Sequence, residues 1–459
     1  MSDAAADSEF GSLQLTVARI WRGTVTRIVL LLGVTIAVLG CPPAVATAGP
    51  WIQQDRELPR KFVTGNCMGK IPYAVTVVDP PETVDESKLQ TAVDEALGRV
   101  NQSMSTYQPD SDVSRFNTTK STDWFSVDAE TAVVVARALE ISKRSKGAFD
   151  ITVGPAVNLW KFGPDKENFG VPSDDAIAAV QSQVGYQKLD VRSDPPSLKK
   201  SHPDVQIDLS AIAKGYAVDQ VAMRLENFGC KDFMVEVGGE VRCQGRRHTG
   251  QPWRVGVRKP VENETVPDIV IELTSQSLAT SGDYENYYRV GKKRYSHTID
   301  PTTCRPVTHY LASATVIAED CMTADALATA AMVIGIEEAR SLLEESDAEF
   351  YLVERNSAFG KTFSSIVSSR FPVVGKTRDE LNTYVAKPAG ATNSILPVFL
   401  MSAVVFGMVI VAMAVGAIFN NKPVKGSCGG LSSMTNEDGE ATCTICSKPT
   451  TDCVERADV

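Results

Sequence analysis

No block of lysine or arginine stands anywhere beyond the N-terminus, and a formal charge of −10 with a pI near 5.2 leaves no electrostatic footprint for nucleic acid. Internal repeats and low-complexity tracts are absent between Gln54 and Lys376, so that stretch reads as globular. Histidine is scarce, at 4 in 459 residues, which leaves few imidazoles to serve as a base near neutral pH. The chain does have apolar material, 43% of its residues, and a length that fits one large domain or two ordinary ones plus appendages.

Long apolar runs are few, and the two that exist sit at the ends. Arg19, Arg22 and Arg27 precede "IVLLLGVTIAVLG" (Ile28 to Gly40), and small residues follow around "CPPAVATAGP". A basic start, a short apolar stretch and small residues make residues 1–49 an export signal, so the body is expected outside the cytoplasm. "VLGC", ending at Cys41, resembles a lipobox, but Pro42 follows it, and the "AVA" of Ala44 to Ala46 offers an ordinary cleavage site. The second run, Ile395 to Phe419, carries no charge and is long enough for a transmembrane helix. Lys422 and Lys425 follow it closely and only Lys387 lies just before it, which places the tail from residue 420 in the cytoplasm.

Between these ends the class is α+β. "KIPYAVTVVD" (Lys70 to Asp79) and "DIVIELTSQSLATS" (Asp268 to Ser281) are rich in β-formers, and "FMVEVGGEVRCQG" (Phe233 to Gly245) reads as strand, Gly-Gly turn and strand. Apolar residues recur at helical spacing over Glu86 to Ser105, Ala129 to Ser145 and Ala213 to Gly229. The polar, Pro- and Gly-bearing stretch of residues 377–394 reads as a linker from the body, residues 54–376, to the membrane span.

Several motifs carry chemistry. In "CMTADALATAAMVIG", a helix beginning near Thr323 sets Asp325 and Thr329 four apart on one face. That pair suits Mg²⁺ when phosphates supply further oxygens; the plainer reading is an acid complementing the helix dipole. "IDLSAIAKGYAVD" reads as the end of a strand and the start of a helix, with Asp208 at the junction and Lys214 and Gly215 in the first turn. It is either an N-cap beside a solvated lysine or an anion site. His297, in "YSHTIDPTTCRPV", falls between a strand-like segment and a Pro-containing turn, where a side chain can face a cleft and act as a base. Tyr107 in "SMSTYQPDSDVSRFN" and the loop "KGAFDITVGPAVNLWKFGP" read, taken alone, as turn chemistry.

Taken in order, "CMGKIPYAVTV", "MSTYQPDSDVSRFN", "GAFDITVGPAVNLWKFG", "DLSAIAKGYAVD", "VEVGGEVRCQG", "ATSGDYENYY", "SHTIDPTT" and "MTADALATA" closely resemble the ApbE-like FAD:protein FMN transferases, over about Val63 to Phe371. The resemblance implies a T-fold-related body with mixed or antiparallel sheets and flanking helices. It also implies Mg²⁺-dependent transfer of FMN from FAD to a threonine or serine of a partner, with release of AMP. By motif, Met68, Tyr107, Ala148, Phe149, Asp150, Asp208 and Lys214 would contact FAD. Mg²⁺ would be held by the Ala211 carbonyl, Asp325 and Thr329, and His297 would take the acceptor's proton. Some members of the family hydrolyse FAD to FMN and AMP; Tyr107 matches the transferase pattern.

Beyond the span lie Cys428, Cys443, Cys446 and Cys453, with "CTIC" a C-x₂-C pair. Four thiols close together in a reducing compartment read as metal ligands rather than disulfides. The segment from about Leu396 to Cys453 is similar to the NqrM family, maturation factors of the sodium-translocating NADH:quinone reductase. The similarity implies iron delivery to that complex with these cysteines as candidate ligands, although "MTNEDGEAT" widens their spacing. The expected partners are therefore the flavin-accepting subunits of that reductase or similar proteins, reached from a bacterial inner membrane with the catalytic body in the periplasm. Of the five body cysteines, Cys67, Cys230, Cys243, Cys304 and Cys321, an odd number leaves at least one unpaired, and Cys230 with Cys243 is a candidate bridge.

Two other readings compete. A flavin carrier that catalyses nothing would not need the metal and base that Asp325, Thr329 and His297 imply. Self-flavinylation at Thr392, in "PAGATNS", would require an aspartate and a serine or threonine where Lys387 and Ala389 stand.

Overall fold

A computed structural model describes residues 58–164, 170–261, 266–284, 286–291, 293–357 and 362–384. Its strands in chain order are β1 (Arg60–Cys67), β2 (Ile71–Val78), β3 (Phe125–Ser126), β4 (Leu189–Ser193), β5 (Pro196–Lys200), β6 (Asp232–Val237), β7 (Glu240–Gln244), β8 (Trp253–Arg258) and β9 (Pro267–Leu273). Then come β10 (Gln276–Gly282), β11 (Tyr287–Val290), β12 (Lys293–Ser296), β13 (Ile299–Asp300), β14 (Arg305–Pro306), β15 (Leu311–Ala318), β16 (Glu349–Arg355), β17 (Phe363–Val367) and β18 (Val373–Val374). The α-helices are α1 (Glu86–Met104), α2 (Asp112–Thr118), α3 (Ala129–Arg144), α4 (Gly154–Leu159), α5 (Asp174–Gln181), α6 (Ala213–Asn227), α7 (Cys321–Ile334), α8 (Ile336–Glu345) and α9 (Arg378–Leu381).

The central sheet has eight strands in the order β1-β2-β6-β7-β10-β15-β16-β17, every pair antiparallel. Phe233, Val235 and Val237 alternate inward along β6, as a strand packed on one face requires. Helix α6 packs against both α1 and α7, and all three pack against this sheet. Over α1 the buried positions Leu89, Ala92, Val93, Ala96, Leu97 and Val100 follow the helical period, and Asp85 caps its start by accepting from Lys88 N at 2.7 Å. Helix α7 is apolar nearly all round, as a helix enclosed by neighbours must be, and Asp320 caps it through Thr323 N at 2.7 Å.

A second core joins the central sheet to the three-stranded sheet β18-β9-β8, around Trp253, Ile271, Leu273, Tyr351 and Phe371. The β-rich stretch from Asp268 to Ser281 thus supplies two strands to two sheets, parted by Thr274 and Ser275. A third core, with Trp160, Phe162, Tyr295, Ile299 and Cys304, carries the β11–β12 ribbon.

The structure corrects three local readings. Val205 to Leu209 is irregular rather than the end of a strand, and Asp208 is not an N-cap: it accepts from Ser210 N at 2.9 Å in the turn before α6, whose N-cap position is Ile212. Cys230 and Cys243 form no bridge, since all five body cysteines are free thiols; Cys243 lies within β7 and packs in the second core. Residues 377–381 belong to the body, where Thr377 and Glu380 form a capping box and Leu381 is buried in that core. Among the described residues no helix is long and apolar enough to cross a membrane; Ile395 to Phe419, residues 1–49 expected to form an export signal, Thr392 and the four tail cysteines lie outside them.

Candidate active site

The β6–β7 turn is the two residues Gly238 and Gly239, with φ of 63° and 103°, the left-handed values that a tight two-residue hairpin of type I′ demands. It delivers Glu240, first residue of β7, into a cleft, where the side chain is 2% exposed. Lys214, in the first turn of α6, donates to Glu240 Oε1 and lies 3.9 Å from Asp325 Oδ1 on α7. Asp325 is held by Gly215 N, which donates to its Oδ2 at 3.1 Å. One turn along, Thr329 Oγ1 is 3.2 Å from Ser281 Oγ on β10. The four-residue spacing therefore does put Asp325 and Thr329 on one cleft-facing side. Asp325 serves the cleft rather than the helix dipole, since α7 starts at Cys321 and is capped by Asp320.

Burial drives the electrostatics. It pushes the Asp325 and Glu240 carboxyls up, Glu240 to about 7, while Lys214 pulls both back down. For Lys214 burial works against the charge, but Asp325 and Glu240 more than offset it and its pKa lies above the ordinary lysine value. Glu240 Oε2 has no hydrogen-bond partner although it is buried. Such an oxygen is costly unless something bound in the cleft serves it.

The cleft encloses about 500 Å³, in the range of small-molecule sites. Its walls bring together Ala148, Phe149, Asp150, Asp208, Ala211, Lys214, His297, Asp325 and Thr329, nine of the expected site residues. Met68 and Tyr107 do not line it. Met68 sits in the β1–β2 turn with φ of 46°, just before Lys70, Ile71 and Pro72, which do; Tyr107 is 61% exposed. Asp150 spends its carboxylate on the fold, accepting from Thr152 N, Thr152 Oγ1 and Tyr186 N at 2.6–2.8 Å, so Ala148 and Phe149 form the apolar wall. Sequence reasoning missed Glu240, Ser281 and Asn286; no local pattern marks a glutamate after Gly-Gly as buried.

His297 follows β12, and its backbone N–H and Nδ1 both meet Asn286 O, at 3.1 and 3.0 Å. A carbonyl only accepts, so Nδ1 carries the proton and Nε2 is the basic nitrogen. The cleft is lined by four acids, Asp150, Asp208, Glu240 and Asp325, and by two lysines, Lys70 and Lys214, of which Lys214 pairs with Glu240 and Asp325. A diphosphate entering this excess of acid needs a cation with it. The oxygens of Asp325 and Thr329, near the turn that holds Ala211, are the hard donors Mg²⁺ prefers, and burial of Asp325 and Glu240 is relieved by such a charge.

The profile of the ApbE family matches residues 68–352. The chain belongs to the ApbE family. The FAD:protein FMN transferase of Vibrio cholerae is 39% identical over 314 residues, covering 68% of this chain and 92% of that one. Its counterpart in Haemophilus influenzae is 38% identical over 73% of this chain and 97% of its own. Among solved structures, the flavin transferase ApbE from Vibrio cholerae has a TM-score of 0.62 at 38% identity, over 68% of this chain and 98% of that one. The apo flavinyl transferase ApbE of Pseudomonas stutzeri gives 0.62 at 35%, over 72% and 98%. Both ApbE structures thus cover the α+β body almost end to end on their side. A second profile, (Na+)-NQR maturation NqrM, matches residues 417–458.

Proposed function

We propose that the chain is an FAD:protein FMN transferase, moving FMN from FAD onto a serine or threonine hydroxyl of a partner protein and releasing AMP. The observation that carries this reading is the meeting, in one cleft, of an oriented imidazole with a buried carboxylate, a hydroxyl and an ion-paired lysine. His297 Nε2 takes the proton from the acceptor hydroxyl, whose oxygen forms a bond to the phosphorus of the FMN half. The bond from that phosphorus to the bridging oxygen breaks, and AMP leaves with the oxygen. Asp325, Thr329 and the Ala211 carbonyl would hold Mg²⁺, which when bound supplies charge neutralisation at the diphosphate. Lys214 adds a fixed positive charge, oriented by Glu240, where negative charge develops. Asp208 and the Ala148–Phe149 wall position FAD within the cleft, and Met68 and Tyr107, outside its lining, would contact FAD where it extends beyond the cleft.

The tail, on the same reading, assists iron delivery to the sodium-translocating NADH:quinone reductase through Cys428, Cys443, Cys446 and Cys453, and that reductase's flavin subunits are the acceptors. An export signal and the span from Ile395 to Phe419 would put the body in the periplasm and the tail in the cytoplasm, with one chain serving both faces of the membrane.

Incubation of a purified flavin subunit with FAD, Mg²⁺ and the protein should yield in-gel flavin fluorescence that survives denaturation and vanishes when the target threonine is replaced. Free FMN and AMP without label would instead make the chain an FAD hydrolase.

A further inference from the structure

The ribbon formed by β11 and β12 pairs with no other strand among the described residues, yet the base hangs from its root. Asn286, whose carbonyl holds His297, immediately precedes β11, and His297 immediately follows β12. One face of the ribbon is fastened down. Tyr288 and Tyr295 stack at 5.6 Å, Tyr295 lies 5.4 Å from Trp160 and Tyr288 5.2 Å from Phe162, and Tyr288 Oη donates to Gly170 O at 3.1 Å.

Charge gathers on the rest. From Tyr287 to His297 the sequence holds Arg289, Lys292, Lys293 and Arg294 and no acid, in a chain whose formal charge is −10. Arg289 and Arg294 stand directly opposite each other in the ladder, and both guanidinium groups lie over the Tyr287 ring, at 5.5 and 4.0 Å, so this face of the ribbon concentrates positive charge. Asp283 meets Arg294 at 3.0 Å, but the same carboxylate also binds Arg355 through both oxygens, at 2.5 and 2.7 Å. Toward the tip, Arg289 and Lys293 are exposed and Val290 is 42% exposed.

We propose that the β11–β12 ribbon is the docking arm for the acceptor protein and that it takes an acidic segment beside the acceptor hydroxyl. This rests on the transferase reading, because only a macromolecular substrate needs a grip outside the cleft. The chain's overall charge repels an acidic partner, so a local cationic arm attracts and orients it at once. The arm is joined at both strands to the residues that set the base, so an acidic segment seated there brings its hydroxyl toward His297 Nε2.

The test compares Arg289→Glu/Lys293→Glu and the neutral Arg289→Gln/Lys293→Gln with the parent protein, using a purified flavin subunit of the reductase as acceptor. Charge reversal should raise KM for the acceptor by about tenfold or more, neutralisation by less, with kcat at saturating acceptor and FAD affinity unchanged. The parent's kcat/KM should fall between about 0.01 and about 1 M salt, as the Debye length shrinks from about 30 to about 3 Å, and that slope should flatten in the reversal variant. An unchanged KM in both variants overturns the docking arm. So does an unchanged KM accompanied by lost binding to phosphatidylserine-containing vesicles, which would assign the ribbon to a membrane surface. No flavin transfer by the parent protein would instead overturn the transferase reading itself.

Discussion

Gly215 N donates to Asp325 Oδ2 at 3.1 Å, so the first turn of α6 and the second turn of α7 are joined at the cleft by one backbone hydrogen bond. The approach is close because position 215 has no side chain: a Cβ there would lie 2.3 Å from Cys321 O and 2.8 Å from Met322 Cα, both backbone atoms. Gly215→Ala should therefore force the helices apart and lower stability by about 1–3 kcal/mol. Denaturant titration checks the stability, and weaker Mg²⁺ binding in the presence of FAD, read by calorimetry, checks that Asp325 has moved.

Asp325 is the one carboxylate expected to hold the cation. Replacing it by Ala should abolish transfer, by about 100-fold or more, and Asp325→Asn should do nearly as much because the amide brings no charge. Retained Mg²⁺ binding in Asp325→Ala, measured calorimetrically with FAD present, would move the cation site elsewhere.

His297→Ala should lower kcat by about 10²- to 10⁴-fold while FAD affinity, followed by flavin fluorescence, stays near the parent value. The separation follows from geometry, since Asn286 orients the ring as a base. Turnover unchanged in the variant removes the base from this residue.

If the tail serves iron and the body serves flavin, replacing Cys428, Cys443, Cys446 and Cys453 together by Ser should leave transfer intact and lower iron bound to the full chain. Metal analysis alongside the fluorescence assay reads both quantities, and a loss of transfer would show the two halves to be coupled.

Much of this site is legible in the sequence because its signals are local. Lys214 and Gly215 fall in the first turn of a helix whose period is plain, and Asp325 and Thr329 share a face by simple spacing. Glu240 is not legible, because its burial depends on hairpin register and on neighbours far along the chain; a glutamate after Gly-Gly reads locally as solvated. Asp208 misleads for a related reason. The apolar Val205, Ile207 and Leu209 alternate as in a strand, but the backbone there bonds to Asn117 and Ile151 instead of a ladder. The double role of Asp268 to Ser281 depends on which sheet each half joins, and no local pattern encodes that choice.

Glu240 carries the remaining prediction, on pH. Burial raises its carboxyl from 4.5 to about 7, more than Lys214 lowers it. Below about 4.5 the group is protonated whether the chain is folded or not, and its contribution to stability is fully present. As pH rises through that value the unfolded chain sheds the proton first, so the contribution declines until the folded group titrates near 7, at no more than about 1.4 kcal/mol per pH unit. Asp150 and Asp325, also raised by burial, act in the same direction. Without a divalent cation, the protein should lose more stability between about pH 5 and about pH 7 than Glu240→Gln does under the same conditions. Thermal unfolding across that range reads the difference directly, and parallel curves for the two proteins would mean that Glu240 is ionised throughout, held so by Lys214 alone.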